Sequence, residues 1–314
     1  MRAVVIQGFG AEPELVEASV PEPGPGELLV RIHAAGLNPF DWKVADGALD
    51  GIVEHSFPFV MGSDGAGVIA TVGSGVTDFR PGERVYGQFM QLPKGQGSYA
   101  EFALVDAAGK VATIPDHLSF TLAAALPTAT VTAYQAVRAM ELEPGHTVLV
   151  NGASGGVGQS AVQFAAGRGA RVVATAPGDL TDHLRELGAD HIIDFTAASV
   201  VDEVRATYSD GIDAVLDLVS GPGAPNPFAV LLRAGGTLVS TNGAADPESL
   251  ASQGRTGVNL YNSATRQDLE ALAGLAADGK IRVRIDAEVA LSDAPDTVAH
   301  ARSGQATGKT IIVP

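Results

Sequence analysis

The chain has 314 residues, 46% of them hydrophobic, with 36 acidic against 20 basic side chains and a formal net charge of -16. That length suggests two domains with a large core, and the acidic balance argues against nucleic acid or an anionic membrane as the main partner, since both require a basic face. Cysteine is absent, which excludes disulfides, thiolate nucleophiles and cysteine-ligated zinc, and with no membrane-length apolar run or signal pattern a cytoplasmic protein is expected.

Residues 1–120 read as β-rich. Arg2–Gln7 and Leu28–Ala34 are strand-like, and Pro21-Glu-Pro-Gly-Pro-Gly26 between them cannot sit inside an element. Short β runs follow at Gly67–Val72, Glu83–Tyr86, Tyr99–Val105 and Val111–Ile114, separated by Gly and Pro as a compact barrel requires. At Thr121 alanine-rich helical patterning begins, and to about residue 263 strand and helix alternate. Strands are expected at Thr147–Val150, Arg171–Thr175, His191–Asp194, Asp213–Leu218, Thr237–Ser240 and Val258–Tyr261, with helices after Gly158, at Leu180–Leu187, at Val200–Ala206 and near Pro227–Leu232. With right-handed crossovers this predicts a doubly wound parallel sheet whose ligand lies outside the C-terminal strand ends. The tail reads as a helix over Arg266–Ala277, a strand over Ile281–Ile285, a helix over Ala294–Ala301 and a closing strand over Lys309–Val313. It is expected to return to the β-rich domain.

The most informative stretch is Thr147-Val-Leu-Val-Asn-Gly-Ala-Ser-Gly-Gly-Val-Gly-Gln-Ser160. An apolar strand runs into a glycine-rich turn and then a helix, the arrangement that exposes helix N-terminal N–H groups to a dinucleotide pyrophosphate. Aligned on Gly155 and Gly158, the first glycine of the usual pattern is Ala153, and Gly156 is additional. Close helix–strand packing is the structural alternative for these glycines.

In its order of blocks the chain resembles the zinc-free quinone oxidoreductase branch of the medium-chain dehydrogenase/reductase superfamily. The resemblance is carried by Gly36-Leu-Asn-Pro-Phe-Asp-Trp-Lys43, Phe59–Val68, Pro81–Val85, Gly97–Glu101, Leu126-Pro127 with Thr132-Ala-Tyr134, Gly152–Gly158, Asp213–Leu218 and Thr307–Val313. It implies an α/β protein, with a GroES-like β-barrel catalytic domain over residues 1–120 and 264–314 and a Rossmann dinucleotide-binding domain over 121–263. Zinc-dependent relatives place Cys where Asn38 stands and His where Ser63 stands, so no metal is expected. The resemblance also puts at Asp64 an acid that zinc-dependent relatives carry behind their metal ligands, and here it is expected to pair within the barrel.

The implied activity is transfer of hydride from NADPH to a quinone or an α,β-unsaturated carbonyl. An enoyl-thioester reductase and a non-catalytic NADPH-binding protein are the alternatives. For the cofactor, Gly155, Gly156, Val157 and Gly158 would offer backbone N–H groups and Ser154 a hydroxyl, while Thr132, Leu218, Val219 and Asn242 would face the nicotinamide side. No carboxylate stands at Ala174-Thr175-Ala176, which favours NADPH over NADH. Thr175, with His183 or Arg185, would contact the 2'-phosphate, and Phe195 stands where the family has a tyrosine. For chemistry, Asn38 would orient substrate or nicotinamide, and Lys43 would supply a proton or stabilise an enolate, held by Asp41. An N-cap-like turn with a surface Asp and Lys pair is the structural alternative. Phe40, Trp42 and Tyr261 are candidate pocket walls. Val258–Tyr261, as the last strand of an open sheet, would pair with its copy in a homodimer.

Overall fold

Alternating apolar residues punctuated by Gly and Pro make the first third of the chain a set of short antiparallel strands. The computed structural model describes residues 1–303 and 308–314. It divides into one unit of residues 1–131 with 264–314 and a second of residues 132–263. In the first, the opening strands are β1 (Arg2–Ile6), β2 (Glu14–Glu17), β3 (Glu27–Gly36), β4 (Phe59–Val60), β5 (Asp64–Val72), β6 (Arg84–Gln88), β7 (Phe102–Asp106) and β8 (Val111–Thr113), with helix α1 (Pro39–Ala45) after β3. β1 lies between β2 and β4 in a small sheet, and β3 lies between β5 and β7 in a larger one. Val30, Ile32, Ile69, Val85, Phe89 and Val105 fill the core between them. The strand expected from Tyr99 begins only at Phe102. The preceding residues instead form an Ala3–Ala100 bridge and bury the Tyr99 ring completely.

Two helices follow, α2 (Phe120–Ala124) and α3 (Pro127–Ala139). α2 packs on β3 and β5, so residues 121–131 sit with the first unit and not, as the alanine-rich pattern suggested, with the nucleotide domain. The approach is close because Gly36 has no side chain. A Cβ built there would fall on the Ala124 carbonyl oxygen.

The second unit runs β9 (Thr147–Asn151), α4 (Gly156–Gly167), β10 (Arg171–Ala176), α5 (Thr181–Glu186), β11 (His191–Asp194), α6 (Val200–Thr207), β12 (Ile212–Asp217), β13 (Leu232–Ser240), α7 (Pro247–Ser252) and β14 (Thr256–Asn259). Its strands are parallel in the order β11-β10-β9-β12-β13-β14, the doubly wound arrangement in which crossovers run both ways from β9. Val148, Val150, Val172, Ala174, Ala214, Leu216 and Val239 are fully buried, as strands covered on both faces must be. The helix expected near Pro227–Leu232 is only a 3-10 turn at Ala229–Leu231: Asn226 caps Phe228, and β13 starts at once so that Leu231 and Leu232 can be buried. α7 was not anticipated, although Asp246 accepts from Ser249 N–H as its N-cap and Pro247 stands at its first position. The edge strand β14 sits two residues earlier than expected, leaving Tyr261 outside it and 76% exposed.

The tail is α8 (Arg266–Ala277), β15 (Ile285–Ala290), α9 (Ala294–Arg302) and β16 (Lys309–Val313). The strand expected over Ile281–Ile285 begins where that segment ends, since only Ile281 of it is buried and the alternating pattern starts at Ile285. β16 pairs parallel with β15 and antiparallel with β3, so the tail rejoins the first unit. Thr307 of the family-like block lies outside the described residues.

Gly36→Ala must push α2 away from β3, and overpacking of this kind costs about 1 to 3 kcal/mol. Urea denaturation should report a loss in that range; an unchanged midpoint would show that the contact is not constrained.

Candidate active site

Asn38 opens the site in the first unit. It is the N-cap of α1, with Pro39 at the first helical position, and its backbone N–H donates to Asp41 Oδ2 at 2.8 Å. The same carboxylate accepts from Ser63 N–H at 2.9 Å and from the Tyr99 hydroxyl at 2.6 Å. Asp41 is thus wholly buried and joins three separate segments. The expected role as partner of Lys43 is corrected: the two residues are two apart on a helix and point to different faces, and Lys43 is exposed. The N-cap alternative describes Asn38 and Asp41 correctly, but not as a surface pair.

The Asn38 amide is also committed. Its Nδ2 lies 3.2 Å from Gly36 O, 3.1 Å from Ser63 Oγ and 2.9 Å from Asp64 Oδ2, while Oδ1 accepts from Lys309 Nζ. At 2% exposure its amide serves the protein interior, and the expected contact to substrate or nicotinamide gives way to a bracing role. Lys309, missed as a site residue, supplies the cation. Its ammonium donates to Leu37 O at 3.0 Å and stands 3.6 Å from Asp64 Oδ2. Asp64 further accepts from Thr128 N–H and Oγ1 at 3.0 and 2.6 Å, and Thr128 Oγ1 accepts from Gln88 Nε2. The expectation that Asp64 pairs inside the barrel is met.

Burial governs the titration of this cluster. Desolvation pushes the Asp41 carboxyl up to about 6 even though Tyr99, Ser63 and Asn38 donate to it, and the nearby Asp64 charge acts in the same direction as burial. Desolvation also raises Asp64 against the pull of Lys309, and lowers Lys309 against the pull of Asp64 and Asp41. Tyr99 is raised by burial and then by Asp41, which keeps it a phenol donor.

In the second unit the glycine turn connects β9 to α4. Gly152 adopts φ +87°, open to glycine, and Gly158 packs so closely that a Cβ would fall on Gly152 O. Gly155 is exposed and open. The first α4 ladder bond is Gln159 N–H to Gly155 O, so the N–H groups of Gly156, Val157 and Gly158 lie ahead of the ladder, beside Ser154. This cradle fits a dinucleotide pyrophosphate. Leu218 and Val219 close over the turn, so near that a Cβ at Gly152 would lie 2.9 Å from Val219 Cγ2 and 3.3 Å from Leu218 Cβ, inside van der Waals contact, and Asn242 Nδ2 donates to Leu218 O at 2.9 Å. The structure thereby brings together the turn, Leu218, Val219 and Asn242 at the ends of β9, β12 and β13. Thr132 is buried and accepts from Asn262 Nδ2 at 3.0 Å. Phe195 is half-exposed beyond β11.

Thr175 has a different task from the one expected. Buried at the end of β10, its hydroxyl accepts from Gly152 N–H at 3.0 Å and donates to Asn151 Oδ1 at 2.9 Å, which braces the turn. His183 pairs with Gln159 at 3.0 Å and Arg185 with Asp182 at 3.3 Å.

The two halves match family models described as an alcohol dehydrogenase GroES-like domain, over residues 24–116, and a zinc-binding dehydrogenase, over residues 187–312. A chloroplastic quinone-oxidoreductase, QR1, of Triphysaria versicolor is 31% identical and is covered over 98% of its length by 100% of this chain. The chain belongs to the quinone oxidoreductases of the medium-chain dehydrogenase/reductase superfamily. Another relative, the 2-methylene-furan-3-one reductase of Solanum lycopersicum, is 33% identical over 94% of this chain and 74% of its own. The solved quinone oxidoreductase of Coxiella burnetii superposes with a TM-score of 0.90 at 29% identity, over 100% of this chain and 99% of that one.

Some members of this superfamily bind zinc, and the donors here do not fit it. At the two positions where the resemblance places ligands, an amide and a hydroxyl hydrogen-bond each other, and an ammonium already stands beside the nearest carboxylate. Among the described residues no three His, Cys, Asp or Glu side chains gather as a metal-binding group.

Asp41 retains a proton in the folded chain at pH values, from about 4 to about 6, where the unfolded chain has released it. Its contribution to stability therefore falls as pH rises through that window and is constant outside it. Asp41→Asn should remove this component, visible as a sloping difference between the two melting-temperature profiles from pH 4 to 6. Parallel profiles would show that Asp41 ionises normally.

Proposed function

We propose that this quinone oxidoreductase relative is a metal-independent reductase that delivers hydride from a nicotinamide dinucleotide to a quinone or an α,β-unsaturated carbonyl. The observation that carries the reading is the glycine turn from Gly152 to Gly158 at the end of β9, with Leu218, Val219 and Asn242 beside it. The residues that would hold the dinucleotide are Ser154 to Gly158 at the pyrophosphate and Thr132, Leu218, Val219 and Asn242 toward the nicotinamide. When bound in reduced form, that group supplies a hydride. The acceptor must gain one proton besides, and Lys43, exposed on α1, is the proposed source. Asn38 and Asp41 set the start of that helix. Without a Lewis acid the acceptor has to be electron-poor already, which agrees with the names of both relatives, one a quinone oxidoreductase and one a reductase of an exocyclic enone.

NADPH is the proposed form, since β10 ends without a carboxylate at Ala174-Thr175-Ala176 and His183 and Arg185 stand on the following helix. One observation favours NADH instead. Asp194, at the end of β11, is held ionised by hydrogen bonds from Thr196 and from Gly178, in the loop that follows β10. A cytoplasmic homodimer formed through the open edge of β14 completes the proposal.

Absorbance decay of NADPH and NADH, each with a small quinone and a cyclic enone, tests the reading. Turnover that persists after treatment with a zinc chelator is expected, faster with NADPH. Activity lost on chelation and restored by zinc would overturn the metal-independent mechanism, and faster turnover with NADH would transfer the adenosine end to the Asp194 reading.

A further inference from the structure

A further buried carboxylate stands in the nucleotide-binding unit, and it differs from Asp64 in having no cation beside it among the described residues. Asp217, the last residue of β12, is fully buried. Its Oδ1 accepts from Asn151 Nδ2 at 2.9 Å and from the backbone N–H groups of Val219 and Ser220, both at 3.1 Å. Its Oδ2 accepts from Asn226 Nδ2. Burial pushes this carboxyl up, yet the donors of Ser220, Asn151 and Val219 more than offset it, so the group remains below the usual carboxylate range. The fold thus keeps a buried anion satisfied by neutral donors alone, an expensive arrangement compared with an apolar strand end.

The donors come from the end of β9 and from both ends of one loop. Val219 and Ser220 enter the loop after β12, and Asn226 leaves it. Between them Gly221-Pro-Gly-Ala-Pro225 is exposed and has no regular structure. One carboxylate therefore fastens both ends of a glycine- and proline-rich loop. Through Asn151 it also reaches the cradle, because Asn151 Oδ1 accepts from Thr175 Oγ1 and Thr175 Oγ1 accepts from Gly152 N–H. A continuous chain of hydrogen bonds runs from the dinucleotide turn, through the end of β10, to the loop beside Val219.

We propose that Asp217 is a positioning residue that locks loop 218–226 to the dinucleotide turn, fixing the nicotinamide half of the site while leaving the adenosine half to the glycine cradle. This rests on the dinucleotide reading above. Asp217 itself touches no ligand, since it is buried behind Asn151 and the loop ends. Its effect is on registration of the two halves of one cofactor.

The test is equilibrium binding of NADPH and NADH against 2'-phospho-ADP-ribose and ADP-ribose, which lack the nicotinamide, followed by calorimetry on the full chain. Asp217→Asn keeps the size of the side chain but sets an amide N–H against donors. It should weaken the dinucleotides about tenfold while changing the ADP-ribose ligands by less than about twofold. Asn226→Ala, which frees only the far end of the loop, should act in the same direction by about threefold and serves if the first variant does not fold. Parallel weakening of both ligand classes in the variant that folds would make Asp217 a structural residue only and overturn the proposal. Failure of the unaltered protein to bind any of the four would overturn the dinucleotide reading, and the proposal with it.

Discussion

The ammonium of Lys309 joins the last strand of the chain to a carboxylate, an amide and a carbonyl contributed by residues 37–64. Burying a charge is tolerable only when its partners are complete, and here each partner needs the others. Without Lys309, Asp64 would be a buried acid held by an amide and a threonine; without Asp64 and Asn38, Lys309 would be a cation in an apolar barrel. The positions of α1, of the Ser63 turn and of Thr128 at the start of α3 all follow from this arrangement. Asp41 gathers Asn38, Ser63 and Tyr99 around an acid that burial pushes up to about 6.

The two units solve the same problem in opposite ways. In the first, a fixed internal cation stands among three oxygen acceptors, Leu37 O, Asn38 Oδ1 and Asp64 Oδ2. In the second, Asp217 is an anion surrounded by neutral N–H groups, two from the backbone and two from asparagine side chains. A carboxylate held by amide donors can order a loop that has neither helix nor strand. A carboxylate held by an ammonium orders side chains that are already on regular elements.

Much of this architecture was legible in the sequence, for reasons that can be stated residue by residue. The parallel sheet was read because its strands are buried on both faces and appear as unbroken apolar runs between glycines. The barrel was read because Gly and Pro separate its strands. What escaped were features decided by partners distant in the chain. Tyr99 looks like a strand residue until Asp41 offers it an acceptor, and Lys309 looks like the polar start of a closing strand until Asp64 requires a counter-charge. Thr175 was expected at a ligand because it ends β10, but its hydroxyl is used by Gly152. The clues that were available were the carboxylates inside apolar runs, Asp64 and Asp217, each of which demanded a donor that local pattern could not name.

The nesting of one unit within the other sets an order in time. As the chain leaves the ribosome, residues 1–131 appear first but lack β16 and the cation at its start, so Asp64 lacks the Lys309 counter-charge and the Ala35–Gly36 end of β3 lacks its partner. The parallel sheet of residues 132–263 is meanwhile contiguous and has every strand it needs. The unit whose first segment emerges earlier is therefore completed after the one inserted into it, and its polar centre closes only once Lys309 has emerged.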